Sequence, residues 1–252
     1  MCLILFAWQA HPKYALVVAA NRDEFHQRPA ADAGFWEDDP AILAGRDLQA
    51  GGTWLGVTRA GRFAAVTNYR EPAVPETAHD HSRGRLVSDF LQSEATPFDH
   101  ARALSQTADA YRGFNLLLGD PGSLFYASNR GGEPEAVGTG SHGLSNHLLD
   151  TDWPKVHSGR RRLEKILQAQ DPDPEAFFDL LTDKTLTPGE IPGDLEKSLA
   201  PERLMKQYFI VSPVYGTRCS TVMLMDRDGK VWFHERQFDP AGRAIHTRSF
   251  DF

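Results

Sequence analysis

Short apolar runs separated by turn-forming residues recur along the chain, and their spacing predicts β-hairpins. The predicted hairpins pair residues 3–8 with 14–20, 53–57 with 63–69, 114–118 with 124–127, and 220–225 with 231–236. The turn of the last hairpin contains Asp228-Gly229, a dipeptide that favours tight turns between antiparallel strands. The pattern therefore predicts antiparallel sheets.

Between these hairpins, apolar residues recur at the helical spacing and predict helices that cover the sheets. The predicted helices cover residues 84–91, 99–109, 153–167 and 174–181. Residues 186–201 carry three prolines and two glycines, which predicts a long irregular loop of a kind that is often functional or mobile. Hairpins with helices between them favour an α+β fold, with residues 1–252 forming a single domain of two sheets sandwiched by helices.

Composition narrows the classes of function. Of the 252 residues, 41% are hydrophobic and 24% are charged, as is typical of a soluble globular protein. The formal charge of -7 argues against non-specific binding to nucleic acid or to an anionic membrane. No run of about 20 apolar residues is present, so we expect no stable membrane insertion.

The two cysteines, Cys2 and Cys219, bear on the compartment. They are too few for the disulfide framework of a secreted protein, and this predicts a reducing environment and a cytoplasmic location. The sequence does not decide whether Cys2 and Cys219 form a disulfide bridge.

Two motifs carry weak signals for a cofactor or a metal. Residues 138–143 have the G-x-G-x-x-G spacing of dinucleotide sites, but no helix is predicted to begin at their end. His79-Asp80-His81 has metal-ligand residue types, yet its polar, proline-flanked context is typical of a solvated loop. We therefore expect no cofactor and no metal.

Cys2 follows the initiator methionine directly and begins an apolar, strand-like run. If the methionine is removed, Cys2 becomes the amino terminus and carries a nucleophile and a base on one residue. Its amine would have a pKa near ~8 and its thiol near ~8.5, so modest shifts would give a thiolate beside a neutral amine. An N-terminal amine can activate the side chain of its own residue. The alternative is a buried strand thiol, since free cysteine behaves as a small hydrophobe.

Six motifs in order along nearly the whole chain resemble one known family, named for its Asn-Arg-Asp-Glu motif and also called the transport and Golgi organisation family. The motifs are Met1-Cys2, Asn21-Arg22-Asp23-Glu24 followed by Arg28-Pro29, residues 50–56, Thr67-Asn68-Tyr69-Arg70, Leu144-Ser145-Asn146, and Tyr215-Gly216-Thr217-Arg218. This resemblance implies an association with haem trafficking and with acyl-CoA or lipid homeostasis.

The chain also resembles, more distantly, the cysteine N-terminal nucleophile (Ntn) hydrolases, such as choloylglycine hydrolase and penicillin V acylase. This resemblance implies a four-layer αββα sandwich of two antiparallel sheets. It matches Cys2 to the nucleophile, Asp23 to the supporting aspartate, and Asn68 and Asn146 to oxyanion donors, with Tyr69 as a substrate contact. From the residues alone, each asparagine could equally satisfy the backbone of a turn.

Two arginines are further candidates. The acylases place an arginine three residues before the aspartate, where this chain has Ala20. Because strand neighbours point to opposite faces, we rank Asp23 above Arg22 as a partner of Cys2, and Arg22 could pair with Glu24 on the other face. Arg218 could bind a substrate carboxylate or phosphate, or it could be a structural arginine.

Two functions stay open. The first is an amidohydrolase or acyl-thioesterase that acts on a small acylated substrate, with Cys2 attacking the carbonyl. The second is a non-catalytic carrier of haem or of acyl-CoA and other lipids on the same scaffold. The sequence also leaves open whether the chain forms a homodimer.

Overall fold

The apolar runs form two antiparallel β-sheets in the computed structural model, which describes residues 2–71, 81–184 and 206–252. The strands are β1 (Cys2–Trp8), β2 (Tyr14–Phe25), β3 (Ala30–Phe35), β4 (Ile42–Asp47), β5 (Leu55–Thr58), β6 (Phe63–Asn68), β7 (Phe114–Asp120), β8 (Ser123–Ser128), β9 (Glu135–Ala136), β10 (Gly140–Leu144), β11 (Tyr215–Asp226), β12 (Val231–Phe238) and β13 (Ala244–Asp251). The helices are α1 (Gly84–Gln92), α2 (Pro97–Leu104), α3 (Pro154–Ile166) and α4 (Pro174–Leu181).

The chain divides into two compact units that alternate along the sequence. The first unit comprises Met1–Arg28, Thr139–Leu144 and Asp150–Phe252, and the second comprises Pro29–Gly138 and Ser145–Leu149. Each unit contains one of the two sheets.

In the first unit the strand order is β10, β1, β2, β11, β12, β13, and all neighbouring strands are antiparallel. Helices α3 and α4 pack on one face of this sheet and form a core with its alternate residues. Leu3 and Leu5 of β1, with Val17 and Ala19 of β2, belong to this core. Because side chains alternate along a strand, Cys2 belongs to the opposite face of β1.

Two glycines bring α3 close to the strand that begins with Cys2. A Cβ atom on Gly159 would lie 2.8 Å from Cδ1 of Leu5, and one on Gly143 would lie 2.7 Å from Cγ1 of Val156. Any larger side chain at either position would push α3 away from β1 and β10. The helix begins with Pro154 in its first turn, a position where the missing N–H costs nothing.

In the second unit the strands follow the chain order from β3 to β9. Helices α1 and α2 pack on this sheet, where Phe90 of α1 meets the apolar side chains of β4, β6 and β7. Thr96 caps α2 by accepting a hydrogen bond from the backbone N–H of Asp99.

The fold class predicted from the sequence is confirmed: an α+β fold with two antiparallel sheets and helices against each. All of the predicted hairpins and all of the predicted helices are present, with ends shifted by a few residues. Residues 140–143 of the G-x-G-x-x-G spacing lie in β10, which pairs antiparallel with β1, and the next helix, α3, begins only at Pro154. The single domain and the four-layer stacking stay predictions.

Several strands were not predicted from the sequence. β10 contains two glycines and β13 is exposed along almost its whole length, so neither shows an apolar alternation. They form because β1 and β12 supply hydrogen-bonding edges to them. The predicted loop over residues 186–201, together with His79 and Asp80, lies outside the described residues. Within residues 2–71, 81–184 and 206–252, no helix is long and apolar enough to span a bilayer.

Candidate functional site

Cys2 lies at the first position of β1, in a row of side chains that crosses the sheet. The strand register pairs Cys2 with Arg22 of β2, and Arg22 in turn with Cys219 of β11. Directly opposed residues project from the same face with Cβ atoms about 5 Å apart. Arg22 therefore stands between the two thiols of the chain.

This register corrects the orientation that we expected for Arg22. The side chain belongs to the same face as Cys2 and is only 11% exposed. It does form the expected ion pair with Glu24, at 3.9 Å between Nη2 and Oε2. Side-chain alternation does separate Arg22 from Asp23, but Arg22, and not the higher-ranked Asp23, shares the face of Cys2, because the pairing register decides the face.

A bulge in β11 shapes the surroundings of Asp23. Thr217 pairs with Asp23 and Cys219 pairs with Arg22, so Arg218 is the extra residue. The Thr217 hydroxyl donates a hydrogen bond of 2.6 Å to Oδ1 of Asp23, and the Tyr215 hydroxyl donates one of 3.0 Å to its backbone carbonyl. Asp23 is 4% exposed. The carboxylate is thus buried and fixed by the strand that follows it in the sheet.

Burial dominates the electrostatics of both groups. It raises the pKa of the Cys2 thiol, and the charge of Asp23 acts in the same direction, whereas a hydrogen bond from the Asp23 backbone and the charge of Arg22 lower it. Burial also raises the pKa of Asp23 to about 6. At neutral pH the thiol is therefore protonated, and the carboxylate, which belongs to the helix-covered face of β2, is ionised. The readily formed thiolate that we expected from the sequence is not favoured, so the thiol needs a base.

Cys219 differs from Cys2 in its neighbours. Burial, followed by the charge of Glu235, raises the pKa of the Cys219 thiol well above its ordinary value. Both cysteines are free. Since one strand separates them, their Cα atoms are about 10 Å apart, beyond the reach of a disulfide. The bridge that the sequence left open is therefore absent.

Arg218 holds the segment that follows the Asn-Arg-Asp-Glu motif. Its Nη1 donates hydrogen bonds to the backbone carbonyls of Phe25, His26 and Arg28, at 2.9, 3.1 and 3.1 Å. Of the two roles left open for Arg218, these contacts match the structural one.

The second unit brings Asn68 and Asn146 together. Nδ2 of Asn146 donates a hydrogen bond of 2.8 Å to the backbone carbonyl of Asn68. Oδ1 of Asn146 accepts a bond of 3.2 Å from the Ser145 hydroxyl, and its carbonyl accepts one from the N–H of Arg70. Asn146 is 1% exposed, whereas Asn68 is exposed. The Asn146 side chain thus forms a hydrogen bond to the backbone, as we expected if its role is structural. These contacts fix its orientation, and its amide group has a second hydrogen that it can donate.

A buried polar network supports this segment and was not predicted from the sequence. Nδ2 of Asn115 donates to the Thr67 hydroxyl at 3.1 Å, and the Thr67 hydroxyl donates to the carbonyl of Ser145 at 2.5 Å. The Tyr126 hydroxyl donates to Oδ1 of Asn115 at 2.7 Å. An asparagine directly before the apolar run Leu116–Leu118 of β7 was the available signal, because a buried amide in a strand requires partners.

Tyr69 also has a partner in this unit. Its hydroxyl lies 3.0 Å from Nε2 of His147, and the two rings are 5.0 Å apart. The side chain proposed as a substrate contact is therefore oriented by a histidine that the sequence reading did not single out.

Among the residues that the structure describes, no group of three or more His, Cys, Asp or Glu side chains could hold a metal ion.

Similarity to known proteins identifies the family of this chain. The model of the family described as Transport and Golgi organisation 2 matches residues 1–240. A Bos taurus relative, Transport and Golgi organization protein 2 homolog, is 35% identical over 274 residues, which cover 99% of both chains. The Homo sapiens homolog is 34% identical over 100% of this chain and 99% of its own. Transport and Golgi organization protein 2 of Drosophila melanogaster is 27% identical over 98% and 96%.

Among solved structures, a Caenorhabditis elegans N-acylethanolamine-hydrolyzing acid amidase (NAAA) ortholog is similar to this chain. It shares 12% sequence identity with a TM-score of 0.48, over 88% of this chain and 92% of that one. At this level of similarity no residue role is carried over from that protein. The family match over residues 1–240 and the identity to full-length relatives show that the chain belongs to the Transport and Golgi organisation 2 family.

Proposed function

We propose that this protein is an N-terminal-cysteine hydrolase that cleaves the amide or thioester bond of a small acylated substrate. The observation that carries the proposal is the arrangement at the start of β1. There a buried thiol lies beside Arg22 and receives a hydrogen bond from the backbone of Asp23, whose carboxylate is buried and fixed by Thr217. Perturbed ionisable groups gathered around a nucleophile are typical of catalytic sites.

The reaction begins with removal of Met1, which turns the nitrogen of Cys2 into a free amine. This amine takes the proton of the thiol, and the thiolate attacks the carbonyl carbon of the substrate. When the carbon–nitrogen or carbon–sulfur bond of the substrate breaks, the ammonium group returns its proton to the leaving group. Water, deprotonated by the same amine, then attacks the acyl-cysteine, and the acid and the free thiol are released.

Each neighbouring residue has a role in this proposal. Asp23 holds and orients the α-amine, and the charge of Arg22 stabilises the thiolate. Asn68 and Asn146 donate hydrogen bonds to the oxyanion, and Tyr69 contacts the substrate, as the family resemblances imply. For Arg218 we propose the structural role. A reducing compartment such as the cytoplasm keeps both thiols in the free form that the chemistry needs.

The test compares the wild type with Cys2→Ser on a panel of acyl amides and acyl-CoA thioesters. Cys219→Ser is the matched control, because it removes the other buried thiol of the same row. We expect Cys2→Ser to lower turnover at least about 1,000-fold, as loss of a nucleophile typically does, and Cys219→Ser to retain turnover. Circular dichroism checks that both variants fold.

The carrier function gives a different result in the same experiment. A haem, acyl-CoA or lipid carrier binds its ligand without turnover, and Cys2→Ser then changes affinity alone. Equal turnover by the wild type and Cys2→Ser would contradict the hydrolase proposal.

A further inference from the structure

Lys155 is a fully buried lysine in the first turn of α3. A lysine side chain is almost never completely buried unless its charge is paired. Its neighbour Val156 and, one turn later, Gly159 lie against the sheet at β10 and β1. The side chain of Lys155 is therefore enclosed at the helix-covered face of the six-stranded sheet.

A chain of hydrogen bonds shows which end of β2 this turn of α3 lies near. Nδ2 of Asn21 donates to the carbonyl of Tyr208 at 2.8 Å, and the Tyr208 hydroxyl lies 2.7 Å from the hydroxyl of Ser158. Ser158 is three residues after Lys155, so the two lie on neighbouring positions of one helix face. The start of α3 thus lies at the end of β2 that carries the Asn-Arg-Asp-Glu motif.

The same face of β2 includes Asp23. Asn21 points to the helix layer, where it also donates a hydrogen bond to the carbonyl of Leu181 of α4. Asp23 is two residues further along the strand and so shares that face. Lys155 from α3 and Thr217 from β11 are therefore on the side of the sheet to which the Asp23 carboxylate belongs.

The charges around Asp23 come from several elements. Burial raises the pKa of Asp23, while the α-amine of Met1, the Thr217 hydroxyl, Lys155 and Arg22 lower it. The Cys2 thiol of β1 is the remaining titratable neighbour, and its own pKa responds to the charge of Asp23. Lys155 is the one cation in this set that belongs to a helix.

We propose that Lys155 is a positioning residue of the Cys2 site, whose ammonium group acts on the Asp23 carboxylate from the helix side and keeps it ionised near neutral pH. An ionised Asp23 can hold the α-amine of Cys2, and a protonated one cannot. The role of that amine rests on the proposed function, whereas the coupling between Lys155 and Asp23 does not.

The experiment measures the protonation of Asp23 directly. Protein labelled with ¹³C at the aspartate carboxyl carbons is titrated by NMR, and Asp23→Asn identifies the Asp23 signal. Lys155→Met removes the charge and keeps the length of the side chain, and Lys155→Arg restores a charge. Lys165→Met is the matched control, because Lys165 lies on the same helix but is exposed.

We expect the wild-type midpoint near pH 6 and a resolved upward shift in Lys155→Met, because the charge of Lys155 lowers the pKa of Asp23. Lys155→Arg keeps the positive charge, so its midpoint should stay close to that of the wild type. Lys165→Met should leave the midpoint unchanged. A folded Lys155→Met protein with the wild-type midpoint would overturn the inference.

A purely structural role for Lys155 gives another outcome. A structural role predicts that Lys155→Met and a second neutral variant, Lys155→Gln, lose stability while every variant that folds keeps the wild-type midpoint of Asp23, and that result overturns the positioning role. No substrate enters the titration, so its failure is distinct from that of the hydrolase proposal, which is read from the turnover of Cys2→Ser.

Discussion

Two groups of buried polar residues, one in each compact unit, differ in the chemical character of their side chains. The Cys2 group, formed by Cys2, Arg22, Asp23 and Thr217, consists mostly of ionisable side chains. The Asn146 group consists of neutral amides and hydroxyls joined by hydrogen bonds, and its members are Thr67, Asn115, Tyr126, Ser145 and Asn146.

This difference indicates different tasks. In the Cys2 group, burial raises the pKa of both the thiol and the carboxyl group, so ionisation there is costly. Ionisable groups with shifted pKa values are common at sites where a reaction moves protons. In the Asn146 group, neutral donors and acceptors satisfy each other, which fixes their orientation. The first group suits a nucleophile and its base, and the second suits a rigid hydrogen-bond donor.

The largest expected effect separates the two asparagines of the Asn146 group. Asn146→Ala removes a proposed oxyanion donor and should lower kcat by about 100-fold to 1,000-fold. Asn115→Ala removes an amide that bonds only within the network and should lower the free energy of unfolding by about 1–3 kcal/mol with a much smaller change in kcat. Turnover of the substrate found by the panel and urea unfolding measure the two effects. Equal losses of kcat in both variants would contradict the proposal that Asn146 donates to the oxyanion while Asn115 only supports the network.

The next prediction concerns the cost of charge at Asp23. Its pKa in the fold, about 6, is above the ordinary value of 3.8, so the folded state binds the proton more tightly than the unfolded state. The stabilisation that this gives is full below pH 3.8 and is lost as the pH rises through 6. The amide of Asp23→Asn does not ionise, so the variant does not lose this stabilisation. Its amide oxygen can still accept the hydrogen bond from the Thr217 hydroxyl. The variant should therefore be more stable than the wild type at pH 7.5, by up to about 3 kcal/mol, but not at pH 4, and should lose turnover.

Asp150 provides a control with the opposite sign. Burial raises its pKa, but hydrogen bonds from His142 and from the N–H of Gly143 outweigh burial, so the pKa is lowered. This stabilisation is present above the ordinary pKa and is lost as the pH falls. Asp150→Asn should therefore be less stable than the wild type at pH 7.5, with a smaller difference at low pH. Asp23→Asn with reduced stability at pH 7.5 would contradict the electrostatic description of the Cys2 group.

The smallest expected effect distinguishes the two thiols that flank Arg22. Cys2 lies at a strand end with 9% exposure, whereas Cys219 lies within a strand with 4% exposure and a pKa raised well above its ordinary value. Native alkylation with iodoacetamide at pH 8, read by peptide mass spectrometry, should label Cys2 at least about ten times faster, because the thiolate is the reactive form. Faster labelling of Cys219 would show that the thiol of β1 has no special reactivity.

The fold was predictable where apolar runs carry the information. Strands β1 and β2 and helices α3 and α4 appear in the sequence as clear periodic patterns, because their side chains form one core. β10 and β13 were missed because their residues are small, polar or exposed, and only the hydrogen-bonding edge of a neighbouring strand makes them strands.

The sequence names candidate residues for the site, but it could not give the strand register around them. The motifs located Cys2, Asp23, Asn68 and Asn146, whereas the side of the sheet that Arg22 occupies depends on a long-range pairing with Cys2. Lys155 was missed because a lysine after a helix-starting proline reads as a solvated first turn, and its burial depends on how closely α3 packs on the sheet.

The most direct test of the central claim is the intact mass of the native protein, acid-quenched while it turns over an acyl substrate. We predict a mass lower than that of the full sequence by one methionine residue, with a transient species that carries the acyl group on the peptide beginning at Cys2. Consumption of the substrate by a protein that retains Met1 and never carries an acyl group on Cys2 would contradict the proposed mechanism.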